Sequence, residues 1–185
     1  KILTPAGLII NDGNSSNNYN INYIANNNGE ITKRTLTLSN FTADDKTYDG
    51  TTNVTGVGFD DDRVSGDTLS LDYDVAFDNS DASDNVTVQY SNIEISGEDA
   101  ANYSLSTTAG TTTANISKRV LNVTAQVDSR EYDGTTDSAI SPEVDELQTG
   151  DSIATAPVQT FANKNVGTNK TLTPAGLEIT DGNSG

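Results

Sequence analysis

The sequence matches itself at a fixed distance, and that distance sets the scale on which it folds. Tyr48-Asp49-Gly50-Thr51-Thr52 returns as Tyr132-Asp133-Gly134-Thr135-Thr136, and 132 minus 48 is 84. The same 84 separates Gly66-Asp67 from Gly150-Asp151, Phe77 from Phe161, and Asn18-Tyr19 from Asn102-Tyr103. Lys33-Arg34-Thr35-Leu36 returns 85 residues on as Lys118-Arg119-Val120-Leu121. A longer period lies on top: Leu3-Thr4-Pro5-Ala6-Gly7-Leu8 matches Leu172-Thr173-Pro174-Ala175-Gly176-Leu177, 169 residues on. Solenoid turns repeat every ~20–50 residues, so a period of 84 describes a small domain with its own core. Residues 1–32 read as the C-terminal part of one repeat, 33–117 as a complete repeat and 118–185 as the N-terminal part of the next.

Within each repeat the pattern is strand and turn. Thr35-Leu36-Thr37-Leu38, Thr68 to Tyr73, Val86-Thr87-Val88, Asn92 to Ser96 and Val120 to Val123 alternate apolar with polar, as half-buried strands do. Asp12-Gly13, Asn28-Gly29, Asp49-Gly50, Asp133-Gly134 and Asp181-Gly182 supply residues that accept positive φ, and they read as hairpin turns. No segment sustains helical periodicity. Short strands and regular turns in a domain of this size predict an all-β fold of small β-sandwich (Ig-like) domains. The direct run from Ile116 through Lys118 into Val120 has no Gly/Pro-rich linker. It predicts domains end to end as a rod, with few contacts across the joint beyond the connecting strand.

Composition excludes several functions. The net charge is −17, from 27 acidic and 10 basic residues, so nucleic acid and anionic membrane are poor partners. No apolar run approaches the ~20 residues a membrane span needs, which argues against direct membrane insertion. His and Cys are absent, so neither a Ser-His-Asp nor a Cys-His arrangement can be built, and N/S zinc sites are excluded. The chain is expected not to be an enzyme. Calcium is the one cofactor with candidate ligands, the oxygen-rich runs Asp60-Asp61-Asp62 and Asp78, Asp81 and Asp84. The positions matching the last three in the next repeat are Ala162, Asn165 and Thr168, so such a site would belong to one repeat type. Lys33, Lys46, Lys118 and Lys164 are conceivable partners in Lys–Asn isopeptide bonds.

Lys46-Thr47-Tyr48-Asp49-Gly50-Thr51-Thr52 and Arg130-Glu131-Tyr132-Asp133-Gly134-Thr135-Thr136 are the strongest local signals. With the downstream Gly-Asp, Phe and Asn-Tyr, they resemble the YDG repeat of large bacterial surface adhesins. That family is related to the MBG repeats, and some of its proteins resemble filamentous haemagglutinin. Phe161-Ala162-Asn163-Lys164-Asn165-Val166-Gly167 fits the family pattern, whereas the middle repeat has Phe77-Asp78-Asn79-Ser80-Asp81-Ala82-Ser83 there. The resemblance implies a β-rich stalk module, extracellular, on the bacterial cell surface or in secreted matrix. From the residues alone, Tyr48 and Tyr132 cover the end of a thin core and the Asp-Gly makes the turn. Asn18, Tyr19, Asn102 and Tyr103 are structural by the same reading.

The expected function is a structural, non-catalytic stalk or fibre segment, with neighbouring repeats, and other copies in a fibre, as partners. The rival is a glycan- or protein-binding adhesive module, which needs an exposed aromatic cluster or a pocket. Residues 1–32 and 118–185 together hold one whole repeat, so the tail of one copy is expected to meet the head of the next. Thr173 to Leu177 repeats Thr4 to Leu8, while the middle repeat has Gln89-Tyr90-Ser91-Asn92-Ile93 there, which predicts two alternating repeat types.

Overall fold

The computed structural model describes residues 1–182; the last three residues of the expected third repeat lie outside the described residues. The middle repeat contains β1 (Arg34–Leu36), β2 (Leu38–Thr42), β3 (Lys46–Thr47), β4 (Gly58–Asp61), β5 (Ser70–Phe77), β6 (Ser83–Ser96), β7 (Tyr103–Leu105) and β8 (Gly110–Ser117). Among the described residues only one 3₁₀ turn, Ala100–Asn102, stands apart from strand and loop, so the fold is all-β. Four strands form a sheet in the order β3-β8-β6-β5, with β3 parallel to β8 and the other pairs antiparallel. Outside this sheet lie two further pairs, β1 parallel to β7 and β2 antiparallel to β4.

β6 joins two segments that the alternation separates. Val86, Val88 and Tyr90 are buried on one parity, then Ile93 on the other. The change of parity falls at Asn92, whose φ is 53°. There the pairing with β5 shifts from Asp72↔Glu94 to Asp74↔Ser91, which puts one extra residue on β6. This is a β-bulge: it absorbs the extra residue and lets both apolar runs face one core.

That core holds Leu36, Leu38, Leu69, Phe77, Val86, Val88, Tyr90, Ile93, Tyr103, Ala114 and Ile116. At one end Phe41, Phe59, Tyr73 and Tyr90 cluster, with ring centroids 4.9–6.1 Å apart. Gly110 admits this cluster, because a Cβ there would lie 2.4 Å from the Phe41 ring. The Tyr90 hydroxyl is buried but satisfied: it donates to the Thr42 carbonyl at 2.5 Å and accepts from the Gly58 amide at 3.2 Å.

The third repeat contains β9 (Val123–Thr124), β10 (Glu143–Val144), β11 (Ser152–Thr155), β12 (Val158–Phe161), β13 (Leu172–Ala175) and β14 (Glu178–Thr180). Its register copies the middle repeat: Phe161 pairs with Leu172 as Phe77 pairs with Val88. Pro157 lies where β5 has Tyr73, and a residue without an N–H divides the strand into β11 and β12. Gln159 sits at the place of Val75 and is buried. It accepts from the Gln126 amide and donates to the Gln126 carbonyl, both at 2.8 Å, and donates to Ser138 Oγ at 3.1 Å. In residues 1–32 the backbone makes one isolated bridge, Leu3 with Asn26, and Ile9, Ile24 and Ile31 stand exposed.

Two expectations change. Asp49-Gly50 does turn, with Gly50 at φ 74°, but it does not close a hairpin, since β3 pairs with β8 and β4 with β2. Asn28-Gly29 does not take positive φ.

Tyr90→Phe keeps the ring and leaves the Gly58 amide and Thr42 carbonyl without their buried partner. A loss of about 1–3 kcal/mol is expected in denaturant unfolding followed by tyrosine fluorescence. An unchanged midpoint would show that water replaces the hydroxyl there.

Candidate functional site

The recurring residues converge on one structure in both repeats. Lys46 Nζ donates to Asp49 Oδ1 at 2.7 Å, to the Thr51 carbonyl at 2.6 Å and to the Asn53 carbonyl at 3.2 Å. It lies 5.4 Å above the centre of the Phe77 ring. Asp49 Oδ1 in turn accepts from the Thr51 amide and hydroxyl, both at 2.9 Å, which is an Asx turn. One period on, Arg130 bonds Asp133 and donates to the Thr135 carbonyl at 2.8 Å, and its guanidinium lies 5.2 Å from the Phe161 ring centre. Asp133 Oδ1 likewise accepts from the Thr135 amide and hydroxyl. The second Thr has a task too: the Phe77 amide donates to the Thr52 carbonyl, and the Phe161 amide to that of Thr136.

The motif is therefore a turn stapled by a cation that its own Asp neutralises and a Phe ring covers. Burial pushes the Asp49 carboxyl up, but the bonds from Lys46 and Thr51 outweigh it and hold the group below its ordinary value. The Thr51 and Asn53 groups on Lys46 are main-chain carbonyls and a hydroxyl, so the ammonium serves this turn and not an Asn side chain.

Gly-Asp and Asn-Tyr also meet. The Tyr103 hydroxyl donates to Asp67 Oδ2 at 2.5 Å and accepts from the Val64 amide at 2.9 Å, with the ring buried. The bond to Asp67, and then burial, push its pKa up. Its earlier counterpart Tyr19 is 62% exposed, so the two Asn-Tyr pairs do not share an environment.

Between the repeats, the Tyr48 hydroxyl donates to Asp151 Oδ1 of the third repeat at 2.8 Å. Gly50 packs against the same turn: a Cβ on it would lie 3.5 Å from the Thr149 carbonyl and 3.6 Å from Gln148 Cβ. A cleft of about 430 Å³ runs along this contact, lined by Tyr48 and Ala82 on one side and Leu121, Leu147, Asp151 and Ile179 on the other. The joint thus holds side-chain contacts where the sequence pointed to little beyond the connecting strand. No continuous strand crosses it either, since β8 ends at Ser117 and β9 begins at Val123. The signal was present in the recurrence of Gly66-Asp67 as Gly150-Asp151, but nothing in the sequence says that Tyr48 reaches across to it.

The calcium candidates are dispersed. Asp78 Oδ1 accepts from Gln89 at 2.5 Å, and the Asp81 amide turns back onto Asn79 Oδ1. Asp60 accepts from Asn40, Asp61 pairs with Arg63 at 2.5 Å, and Asp62 caps the Thr37 amide. Among the described residues, no group of three or more acidic side chains is gathered as metal ligands would be. No described helix is long and apolar enough to cross a membrane.

A model of the YDG domain family matches residues 32–113 and 117–185. No curated protein and no solved structure matches the chain.

Lys46→Met should unstaple the turn and lower the stability of the middle repeat by about 1–3 kcal/mol in a urea titration; an equal effect from Lys33→Met would deny the staple its special role. The bond to Asp151, then burial and the charges of Asp151, Asp181 and Asp81, push the Tyr48 hydroxyl up to about 12. Lys118, Arg119 and Glu146 also line this cleft. A folded-state value above the ordinary ~10 means the stabilisation is complete below pH ~10 and is lost as pH rises through about 12. Tyr90 and Tyr103 are also pushed up, so absorbance titration at the tyrosinate band should show several late-ionising hydroxyls, one fewer in Tyr48→Phe.

Proposed function

The chain belongs to the YDG domain family, and from that membership we propose that it is a structural, non-catalytic stalk segment of a large bacterial adhesin, secreted or anchored at the cell surface. The observation that carries this reading is how the motif residues are used. In both repeats the cation, the Asp, both Thr and the Phe of the motif are engaged with one another, and the tyrosine of the middle repeat is engaged with the next repeat. A motif whose polar groups bond one another and, at Tyr48, a neighbouring domain serves architecture. Absence of His and Cys removes the usual nucleophile–base pairs, and the −17 charge suits an extended array whose units repel sideways contacts.

In this reading the repeats are small sandwich-like domains stacked end to end, in two alternating types. The work is geometric: each added domain extends reach without a new binding site, and the adhesive chemistry sits elsewhere in the parent protein. Neighbouring repeats, and other copies in a fibre, are the partners, and no cofactor is required.

Small-angle scattering on arrays of one, two and four long periods tests the proposal. The maximum dimension should rise by a constant increment per period. A compact particle at every length would overturn it. A glycan array and solid-phase adhesion to host proteins test the rival, and saturable binding of this segment alone would favour a binding module.

A further inference from the structure

We propose that the Tyr-Asp-Gly motif is a docking knob whose seat is the Gly-Asp turn of the following repeat, and that this contact fixes the angle between successive domains. It concerns the joint alone and stands whether or not the parent protein is an adhesin.

The seat is the same built object in both repeats. Gly66 and Gly150 have φ of 100° and 107°, and the amides of Asp67 and Asp151 bond back to the carbonyls of Val64 and Gln148, three residues earlier in each case. The carboxylate is therefore presented on an identical turn. In the middle repeat that carboxylate uses Oδ2 to take the Tyr103 hydroxyl and close its own domain. In the third it uses Oδ1 to take Tyr48 of the domain before. A carboxylate offers two oxygens and about four lone-pair sites, so a single Gly-Asp turn has capacity for both tyrosines. Domain closure and domain docking then share one acceptor.

The knob is preformed. Tyr48 and Tyr132 fold their hydroxyls back over their own glycines, 3.9 Å and 4.0 Å from where a Cβ would be. Gly50 and Gly134 share the left-handed conformation, with φ of 74° and 82°. The stapled turn beneath, Lys46 or Arg130 on Asp, Thr and Phe, is the same in both. Yet Tyr48 is docked, while Tyr132 is 63% exposed. The posture therefore does not depend on the partner, and docking costs little ordering of the side chain. Gly50 is needed for its positive φ, and it lies in van der Waals range of the seat, since a Cβ on it would stand 3.5 Å from the Thr149 carbonyl and 3.6 Å from Gln148 Cβ.

The chain has no cysteine, so two can be introduced for spin labels at exposed positions, Ser91→Cys and Thr168→Cys. Pulsed dipolar spectroscopy on the full chain reads the distribution of distances across the joint. The parent should give one narrow peak. Tyr48→Phe and Asp151→Ala should each at least double its width, with the double variant no broader than either. Tyr132→Phe should leave the width unchanged. Circular-dichroism melts and denaturant midpoints of each variant separate docking from folding, and Asp67→Ala, which removes the Tyr103 partner, should destabilise the middle repeat without acting through Asp151. Unchanged widths in both Tyr48→Phe and Asp151→Ala overturn the proposal, as does equal broadening by Tyr132→Phe.

Discussion

A tyrosine hydroxyl donating into a carboxylate on a glycine turn is the contact on which the rest of the structure depends. Tyr103 on Asp67 closes the middle domain; Tyr48 on Asp151 joins it to the next. Thin domains of this kind bury few large side chains, and their apolar burial is correspondingly modest. Closing the ends of the core with hydrogen-bonded aromatic residues does two things at once. The ring adds apolar area, and the hydroxyl spares the adjoining loop an unsatisfied polar group. Val64 shows the second effect directly, since its amide donates to the Tyr103 hydroxyl that itself donates to Asp67.

The stapled turn explains how so acidic a chain tolerates its few cations in sheltered places. Lys46 has a side chain only 12% exposed, and Arg130 one 25% exposed. Each is neutralised three residues away by its own Asp and faces carbonyls and a ring. An exposed i,i+3 ion pair contributes little by itself. Here the ion pair is one contact among several that a single cation makes with the loop, and its value lies in fixing the direction in which the tyrosine leaves the sheet. Position of the knob follows from chemistry beneath it.

The sequence carried the fold class and the repeat length, because alternation and self-similarity are local or periodic properties. It also singled out most of the residues of the site. Tyr48, Asp49, Gly50, Tyr103, Gly66, Asp67 and Phe77 were all visible as recurrences. It did not carry their pairing. Nothing in a list of recurring residues says that Phe77 lies under Lys46, or that Tyr48 leaves its own domain to find Asp151 while Tyr103 stays at home with Asp67. The Asp-Gly pairs misled for a related reason. They report a backbone conformation, and Gly50 has it, but which strands flank a turn is decided by sheet pairing at long range. Asn92 misled in the other direction: a polar residue at positive φ looks like a strand end, yet inside β6 it makes the bulge that keeps a long strand continuous.

The two repeats keep the motif turn and the Gly-Asp turn and change the core. Phe59, Tyr73 and Tyr90 of the aromatic cluster correspond, 84 residues on, to Glu143, Pro157 and Pro174. In their stead Gln159 binds the Gln126 backbone in both directions and reaches Ser138, which Asp128 holds in place at 2.7 Å. A fully satisfied buried amide network and a packed aromatic cluster are alternative ways to hold the same strands in register. The motif turn and the Gly-Asp turn, by contrast, match in glycine conformation, hydrogen bonds and ring contact. Cores interact only with themselves and are free to differ so long as each closes. Tyr48 and Asp151 lie in different repeats, so a change to either is felt where the repeats meet. That asymmetry is what a domain array requires and what an isolated domain does not.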